Sequence, residues 1–411
     1  MKKPAPANPA RSMLPYGQPL IEEDDIAAVA AVLRSGWLTT GPLVEQFEAK
    51  LAETVSARQA IVCANGTAAL HLAAMALDLG PDSTVIVPAI TFVATANAAR
   101  YVGARAIFAD VDPATGLMTP ETLEAALKRA GRADAVFPVH LAGQSCDMAA
   151  IHRIAERERL FVVEDACHAL GTRYNGPLRG GYPVGACSHS DMTVFSFHPV
   201  KTIAMGEGGA ITAHSGEMAR RLRMLRSHGI ERESGHFVHE ALAYDRAGVT
   251  NPWYYELQAL GFNYRASDIH CALGLSQLGK LARFAAARAA LVCAYDEALA
   301  PLAPMVKPPA RVQGCTPAWH LYAARVDFAG RGLERAAVMR ALAKDGIGTQ
   351  VHYLPVPFQP YYAQGEAADP ATLYPGAAAY YEATLSLPLF VGMVPEDPAR
   401  IAKSLSTILG L

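Results

Sequence analysis

The chain has 411 residues, 51% of them hydrophobic, and a formal net charge of −2 at neutral pH. That is long for one hydrophobic core, since domains usually hold about 100–200 residues, and it predicts two unequal lobes able to form a deep cleft. Arg, Asp and Glu are interspersed without a basic run to track a phosphate backbone, which argues against nucleic acid, and no apolar stretch approaches the roughly 20 residues of a membrane span.

The opening "MKKPAPANPARSML" has lysines but no apolar segment behind them. It reads as a flexible, proline-rich tail over residues 1–14 and not as a secretory signal, so a cytoplasmic protein is expected. A helix-like segment, "DDIAAVAAVLRSG", follows. From residue 60, β-branched runs alternate with alanine-rich ones: "QAIVCA", "TAALHLAAMAL", "TVIVPA", "VATANAARYVG", "ARAIFAD", "ETLEAALKRA", then "DAVFPV", "MAAIHRIAERE" and "LFVVEDA". This rhythm predicts an α/β fold with a mostly parallel sheet covered by helices on both faces, and ligands bind such sheets at the carboxyl ends of the strands.

After Asp191, "MTVFSF" and "GGAITA" read as strands joined by a tight connection instead of a helix. The segment 228–262 shows no sustained period and reads as an excursion over the surface or toward a partner subunit. "SDIHCALGLSQLGKLARFAAARAALVCAYDEAL" predicts one or two long linking helices, and the prolines of "APLAPMVKPPARVQG" mark a boundary. "WHLYAARVDF", "RAAVMRALAKDGIG" and "QVHYLPVPF" suggest a small α+β lobe ending in a helix near "PARIAKSLSTIL". The expected division is a large domain over 15–275, then linking helices and a small C-terminal domain over 276–411.

Seven cysteines include no C-x-x-C pair, and their odd number argues against a full disulfide framework. Cys167-His168 and Cys187 with His189 lack a second pair at zinc-like spacing, so reduced thiols and no metal site are expected.

Four groups point to chemistry. Lys201 is the only lysine between Lys128 and Lys280, with Ser196 five positions before it and Gly206, Gly208 and Gly209 after it. Asp165 puts a carboxylate at the mouth of a buried strand. Asn65-Gly66-Thr67 opens a helix directly after a strand, where unpaired N–H groups suit a phosphate. Phe92 follows another strand end and can stack on a flat ring. Each has an ordinary alternative: a snorkelling lysine, a helix N-cap, a capping turn, a core phenylalanine. Together, a hydroxyl, an amine and backbone donors suit pyridoxal 5'-phosphate, which needs a lysine for its aldehyde and an acid for its ring nitrogen.

"GWLTTGP", "NGTAALH", "ITFVATAN", "EDACHALG", "SFHPVKTIAMGEGGA", "RSHGI" and "GFNYRASDIHCALGLSQL" resemble, in order, blocks of the DegT/DnrJ/EryC1/StrS sugar aminotransferases from about residue 14 to the C-terminus. The resemblance implies a type I, aspartate aminotransferase-like pyridoxal-phosphate fold and a homodimer with shared active sites. It makes Lys201 the Schiff-base lysine, Asp165 the ring-nitrogen partner and Phe92 the stacking aromatic. His168 stands near the phenolic oxygen. Gly66, Thr67, Ala68 and Ser196 fall at the phosphate, and Asn263 reaches it from the neighbouring subunit.

Blocks such as "NPWYYELQALGFNYR" and "QVHYLPV" look most like the UDP-4-amino-4,6-dideoxy-N-acetyl-β-L-altrosamine transaminases of pseudaminic acid biosynthesis. Those enzymes move an amino group from L-glutamate to C4 of UDP-2-acetamido-2,6-dideoxy-β-L-arabino-hex-4-ulose. For the sugar nucleotide the candidates are Thr39, His198, Tyr264, Arg265, His320, Tyr322, His352 and Tyr353. The alternatives are a UDP-4-keto-arabinose or 3-keto-sugar aminotransferase, or a non-catalytic sensor on the same fold.

Overall fold

The computed structural model describes residues 13–176, 180–364 and 369–411. Residues 1–12 of the expected tail lie outside them. Leu14, assigned to the same tail, is tied down: its N–H lies 2.9 Å from the Gly346 carbonyl and its own carbonyl accepts from Gly348 at 2.7 Å. Backbone pairing to a distant turn ends the tail sooner than its composition suggests.

Helices α1 (Glu23–Ser35) and α2 (Pro42–Val55) come first. Glu22, Asp24 and Asp25 at the start of α1 form the one group of metal-ligating size among the described residues, and Lys280 lies 3.2, 2.6 and 2.9 Å from them. The Lys280 ammonium already sits among the three carboxylates, and Arg283 pairs with Glu22 as well.

The alternation then runs β1 (Gln59–Cys63), α3 (Gly66–Ala76), β2 (Thr84–Pro88), α4 (Val93–Tyr101), β3 (Arg105–Ala109), α5 (Pro120–Ala130), β4 (Ala135–Val136), α6 (Met148–Glu158) and β5 (Phe161–Asp165). Two-residue strands β6 (Arg173–Tyr174) and β7 (Tyr182–Pro183) pair with each other, and β8 (Met192–Ser196) and β9 (Gly209–Ala213) complete a seven-stranded sheet of order β1-β9-β8-β5-β4-β2-β3. Only β9 opposes the rest: it pairs antiparallel with both β1 and β8, while β8, β5, β4, β2 and β3 pair in parallel. Every residue of β2 is buried, as a central strand covered on both faces requires. Helix α6 faces the core with Ile151, Ile154 and Ala155, the i, i+3, i+4 stripe of a surface helix.

Beyond α7 (Gly216–Arg226), the 228–262 segment holds one strand pair, β10 (Ile230–Glu231) with β11 (Glu256–Leu257), and the one-turn helix α8 (Glu240–Ala243). The Glu256 carboxylate accepts from the Val238 and His239 N–H groups and from the Tyr254 hydroxyl, which holds the excursion together. Trp253, Leu257 and Leu260 remain 75, 69 and 83% exposed.

The predicted linking segment forms two helices, α9 (Asp268–Leu278) and α10 (Leu281–Leu299). Strand β12 (Val306–Lys307) joins a second sheet, β13 (Cys315–Thr316) pairs with β6, and β14 (Tyr322–Val326) follows. Helices α11 (Arg335–Lys344), α12 (Pro360–Ala363), α13 (Pro370–Leu373) and α14 (Pro375–Ala383), strand β15 (Thr384–Leu387) and α15 (Asp397–Leu409) end the chain. Leu291, Tyr295, Tyr322, Leu342, Leu385 and Ile401 belong to a separate hydrophobic core around the sheet β12-β14-β15.

Tyr322, a sugar candidate from the sequence, is fully buried in that core. It stacks on Tyr295 at 4.5 Å, and its hydroxyl donates to Asp296 at 2.8 Å. It packs the second core and does not face a cleft. "QVHYLPVPF" is no regular element: a single bridge, Gln350 to Ser386, precedes one 3₁₀ turn at Val356–Phe358. Pro355 and Pro357 remove the donors a strand would need.

Candidate active site

Strands β1, β2, β4, β5 and β8 all end at one edge of the sheet, and the residues that follow them meet there. A cavity of about 570 Å³ is lined by Asn65, Gly66, Thr67, Thr91, Phe92, Val139, Asp165, Cys167, His168, Ser196, His198, Lys201, His320, His352 and Tyr353, among others.

One corner is built for an anion. Asn65 caps α3, its side-chain oxygen accepting from the Ala68 N–H at 2.8 Å. The Gly66 and Thr67 N–H groups find no acceptor among the described residues, so they face outward with the positive end of the helix behind them. Ala68, expected at the phosphate, is buried, and its N–H is the one that the Asn65 cap engages. Ser196 ends β8 against this corner. A Cβ on Gly66 would lie 2.9 Å from Ser196 Cβ and 3.3 Å from its hydroxyl, and one on Gly209 would lie 2.3 Å from the Asn65 carbonyl. Both glycines are what let the helix start approach the β8–β9 pair.

Lys201 sits on the connection from β8 to β9. The Phe197 N–H to Gly208 carbonyl bond of 2.8 Å and the Met205 N–H to Phe197 carbonyl bond of 2.9 Å close this loop, and the Lys201 N–H reaches the His198 carbonyl at 2.8 Å. Its amine is held below the ordinary lysine range by desolvation, against the opposing pull of Cys167 and Asp165. Its amine has no hydrogen-bond partner among the described residues. The Cys167 thiol beside it is pushed well above its ordinary value, by burial first and by Asp165 second, so it remains protonated.

Asp165, the last residue of β5, is buried and held at both oxygens: Oδ2 accepts from the Thr95 hydroxyl at 2.6 Å and Oδ1 from the Cys167 N–H at 3.1 Å. His168 accepts from the Ala142 N–H at Nδ1, which puts the ring proton on Nε2, 3.1 Å from the Tyr353 hydroxyl. Its ring centroid lies 4.3 Å from that of His320. Burial holds His168 and His320 well below the usual imidazole range, and burial with Lys201 brings His352 down to about 3. All three are neutral. Phe92 is 56% exposed at the start of α4, so it is a wall of the cavity and not a core residue.

Other sequence candidates lie elsewhere in this chain. Thr39 bridges Ser267, and the Tyr264 hydroxyl lies 3.2 Å from His71 while its ring stacks on Phe262. Asn263 is exposed and bridges Ser227. Arg265 lines a different cavity, of about 800 Å³, with Arg220, Arg223 and Arg226, which are paired with Glu217, Glu231 and Glu48. The Cys187 and His189 side chains are engaged separately, with Thr193 and Thr212 and with Tyr174. Tyr16, Thr91 and Gln350, which line the cavity, and Thr95 behind Asp165 are not among the sequence candidates, and Cys167, weighed there only as a metal ligand, lines it too. Thr91 and Thr95 stood in the quoted block "ITFVATAN" at helical spacing, a signal that was there to use.

A family model described as the DegT/DnrJ/EryC1/StrS aminotransferase family matches residues 19–406. The spore coat polysaccharide biosynthesis protein SpsC of Bacillus subtilis (strain 168) is 38% identical over 397 residues, 96% of this chain and 97% of that protein. The PLP form of Spr1654 from Streptococcus pneumoniae is 29% identical with a TM-score of 0.84, covering 97% of this chain and 99% of that one; a PMP form aligns equally well. Helicobacter pylori PseC, an aminotransferase involved in the biosynthesis of pseudoaminic acid, is 27% identical with a TM-score of 0.84 over the same shares.

Proposed function

Because this chain belongs to the DegT/DnrJ/EryC1/StrS aminotransferase family, we propose that it moves an amino group from L-glutamate to C4 of a UDP-linked 4-keto-6-deoxy-N-acetylhexosamine, the reaction of pseudaminic acid biosynthesis. The family is one of pyridoxal-phosphate-dependent sugar aminotransferases. What carries the reading is the convergence of Lys201, Asp165 and the anion corner on one cavity. Its support for the pathway is the similarity to PseC, an aminotransferase involved in the biosynthesis of pseudoaminic acid.

The residues fit the cofactor. Gly66 and Thr67 offer unused N–H groups, Ser196 a hydroxyl, Lys201 an unpaired amine and Phe92 an exposed ring, while Asp165 keeps acceptor capacity beyond its two bonds. When bound, pyridoxal phosphate supplies a carbonyl carbon that takes up and hands on the amino group and a ring that holds electrons released at the donor's α-carbon. Asp165 would accept the ring N–H, Phe92 would cover the ring face, and Gly66, Thr67 and Ser196 would hold the phosphate. Desolvation favours the neutral Lys201 amine, which takes the proton from the donor's α-carbon in the first half-reaction and returns one to the sugar in the second. A positioned base of this kind contributes about 10²–10⁴-fold. His198, His320, His352 and Tyr353 present polar groups to the sugar, and the neutral imidazoles of His320 and His352 face the Lys201 amine without adding a charge.

The same reading makes the enzyme a cytoplasmic homodimer in which Asn263, Arg265, Tyr264 and Thr39 serve the cavity of the second copy. Its support is the exposed apolar side chains of Trp253, Leu257 and Leu260, and that none of those four residues lines the cavity of its own chain. The test is turnover of UDP-linked 4-keto and 3-keto sugars with ¹⁵N-glutamate, followed by mass spectrometry. Label in the 4-amino product of the 4-keto-6-deoxy-N-acetylhexosamine supports the reading. Preference for UDP-4-keto-arabinose or a 3-keto sugar overturns the substrate, and no transfer to any of them overturns the activity. Borohydride reduction must leave a pyridoxyl group on the peptide carrying Lys201.

A further inference from the structure

Behind Asp165 stands a pair of hydroxyls that the reaction as described does not use. Thr91 follows β2 and Thr95 lies in the first turn of α4; they are 1% and 0% exposed. Their hydroxyl oxygens are 2.7 Å apart, and Thr95 Oγ1 is 2.6 Å from Asp165 Oδ2. A hydroxyl has one proton. A carboxylate only accepts, so the Thr95 proton points at Asp165 and Thr91 must donate to Thr95. The direction of the chain, Thr91 to Thr95 to Asp165, is therefore fixed.

Three features make this more than satisfied burial. The terminal contact is a short, charge-assisted bond in a dry setting, where successive hydrogen bonds polarise one another. With the Cys167 N–H on Oδ1, the Thr95 hydroxyl on Oδ2 fixes the carboxylate plane from both sides. Phe92, on the same turn of α4, forms the cavity wall, with the Thr95 N–H reaching the Phe92 carbonyl at 3.2 Å. One helical turn thus sets both the surface for the ring's face and the anion for its nitrogen.

We infer that Thr95, backed by Thr91, is a positioning residue that orients Asp165 and stabilises its charge toward the cofactor's ring nitrogen. This rests on Asp165 being the partner of that nitrogen. Removing the Thr95 hydroxyl weakens the hold on a cofactor whose ring bears nitrogen, and leaves the phosphate and Lys201 contacts alone.

The test uses purified apoprotein and two ligands: pyridoxal phosphate, and its analogue with C–H in place of the ring nitrogen. Wild type should bind the natural cofactor more tightly than the analogue. Thr95→Val should lose about tenfold or more in affinity for the cofactor, the usual scale for a hydrogen bond to a charged group, and much less for the analogue. Thr95→Ser should restore the discrimination, and Thr91→Val should show the same pattern at smaller size. That last variant decides the matter should Thr95→Val fail to fold. Equal losses for both ligands, or no loss for either, overturn the inference and reduce the threonines to packing. If wild type and Asp165→Asn discriminate the two ligands to the same extent, the assignment of Asp165 itself has failed, a result distinct from failure of the threonine relay.

Discussion

Gly66 and Gly216 are a matched pair on which the anion corner can be tested. Each is the first residue of a helix, each follows a capping side chain, Asn65 or Ser215, and neither has a left-handed φ. They differ in what a methyl group would meet: nothing within 4 Å at Gly216, but Ser196 Cβ at 2.9 Å and Cys167 Sγ at 3.3 Å at Gly66. Alanine at either site removes freedom from the unfolded chain, a gain of about 0.4–1 kcal/mol. At Gly66 alone the methyl must push β8 away from α3, and overpacking of this kind costs about 1–3 kcal/mol. Gly216→Ala should therefore equal or exceed wild type in stability measured by urea unfolding, and Gly66→Ala should be about 1–3 kcal/mol less stable than Gly216→Ala. Because the displaced atom carries the Ser196 hydroxyl, Gly66→Ala should also bind pyridoxal phosphate about tenfold or more weakly, roughly 1.4 kcal/mol. Equal stability of the two variants together with wild-type cofactor affinity would refute the close approach of helix start and strand end.

Other consequences can be measured on the same protein. His352 is held near 3, whereas an unfolded imidazole titrates at about 6.5. Between those values the unfolded chain binds a proton that the native chain does not, so stability falls as pH drops through that window. His352→Gln should spare roughly 2 kcal/mol of the loss between pH 7 and pH 5; parallel losses in both proteins would rule this out. Lys201→Met should make the apoprotein more stable at neutral pH, because a desolvated cation is gone, with the advantage shrinking as the unfolded lysine titrates at about pH 10.4. A variant less stable than wild type across that range would count against a desolvated amine. Tyr322→Phe should lower stability by about 1–3 kcal/mol through the lost bond to Asp296 and leave the KM for sugar unchanged. A raised KM would return Tyr322 to the site.

The β–α rhythm was readable because strands buried on both faces need continuous apolar runs, and β1, β2, β3 and β5 have them. Lys201 stood out by the scarcity of lysine around it and Asp165 by closing such a run. The arrangement around them was less visible. His320 precedes the start of β14 at Tyr322, so the two, though close in sequence, go to the cavity and to the second core. Ala68 carried the right motif, but one capping bond from Asn65 uses its N–H. Thr95 looked like an ordinary helix residue until the fold set β5 beside α4. Arg265 has cationic chemistry suited to a diphosphate, yet the path of the chain through 228–262 sends it to another cavity.

The reversed strand β9 also dictates when a functional molecule can first exist. Its pairing of Gln59 with Ala213 and of Cys63 with Gly209 joins segments far apart along the polypeptide, the type of pairing that slows folding. During translation, the start of α3, Asp165, Ser196 and Lys201 all emerge before β9, the strand that pairs with both β1 and β8 and so joins the start of α3 to the other site residues. A nascent chain stopped short of residue 209 would carry both the carboxylate and the amine without the strand that closes the loop between them, with the β1 edge unpaired and open to association with other chains.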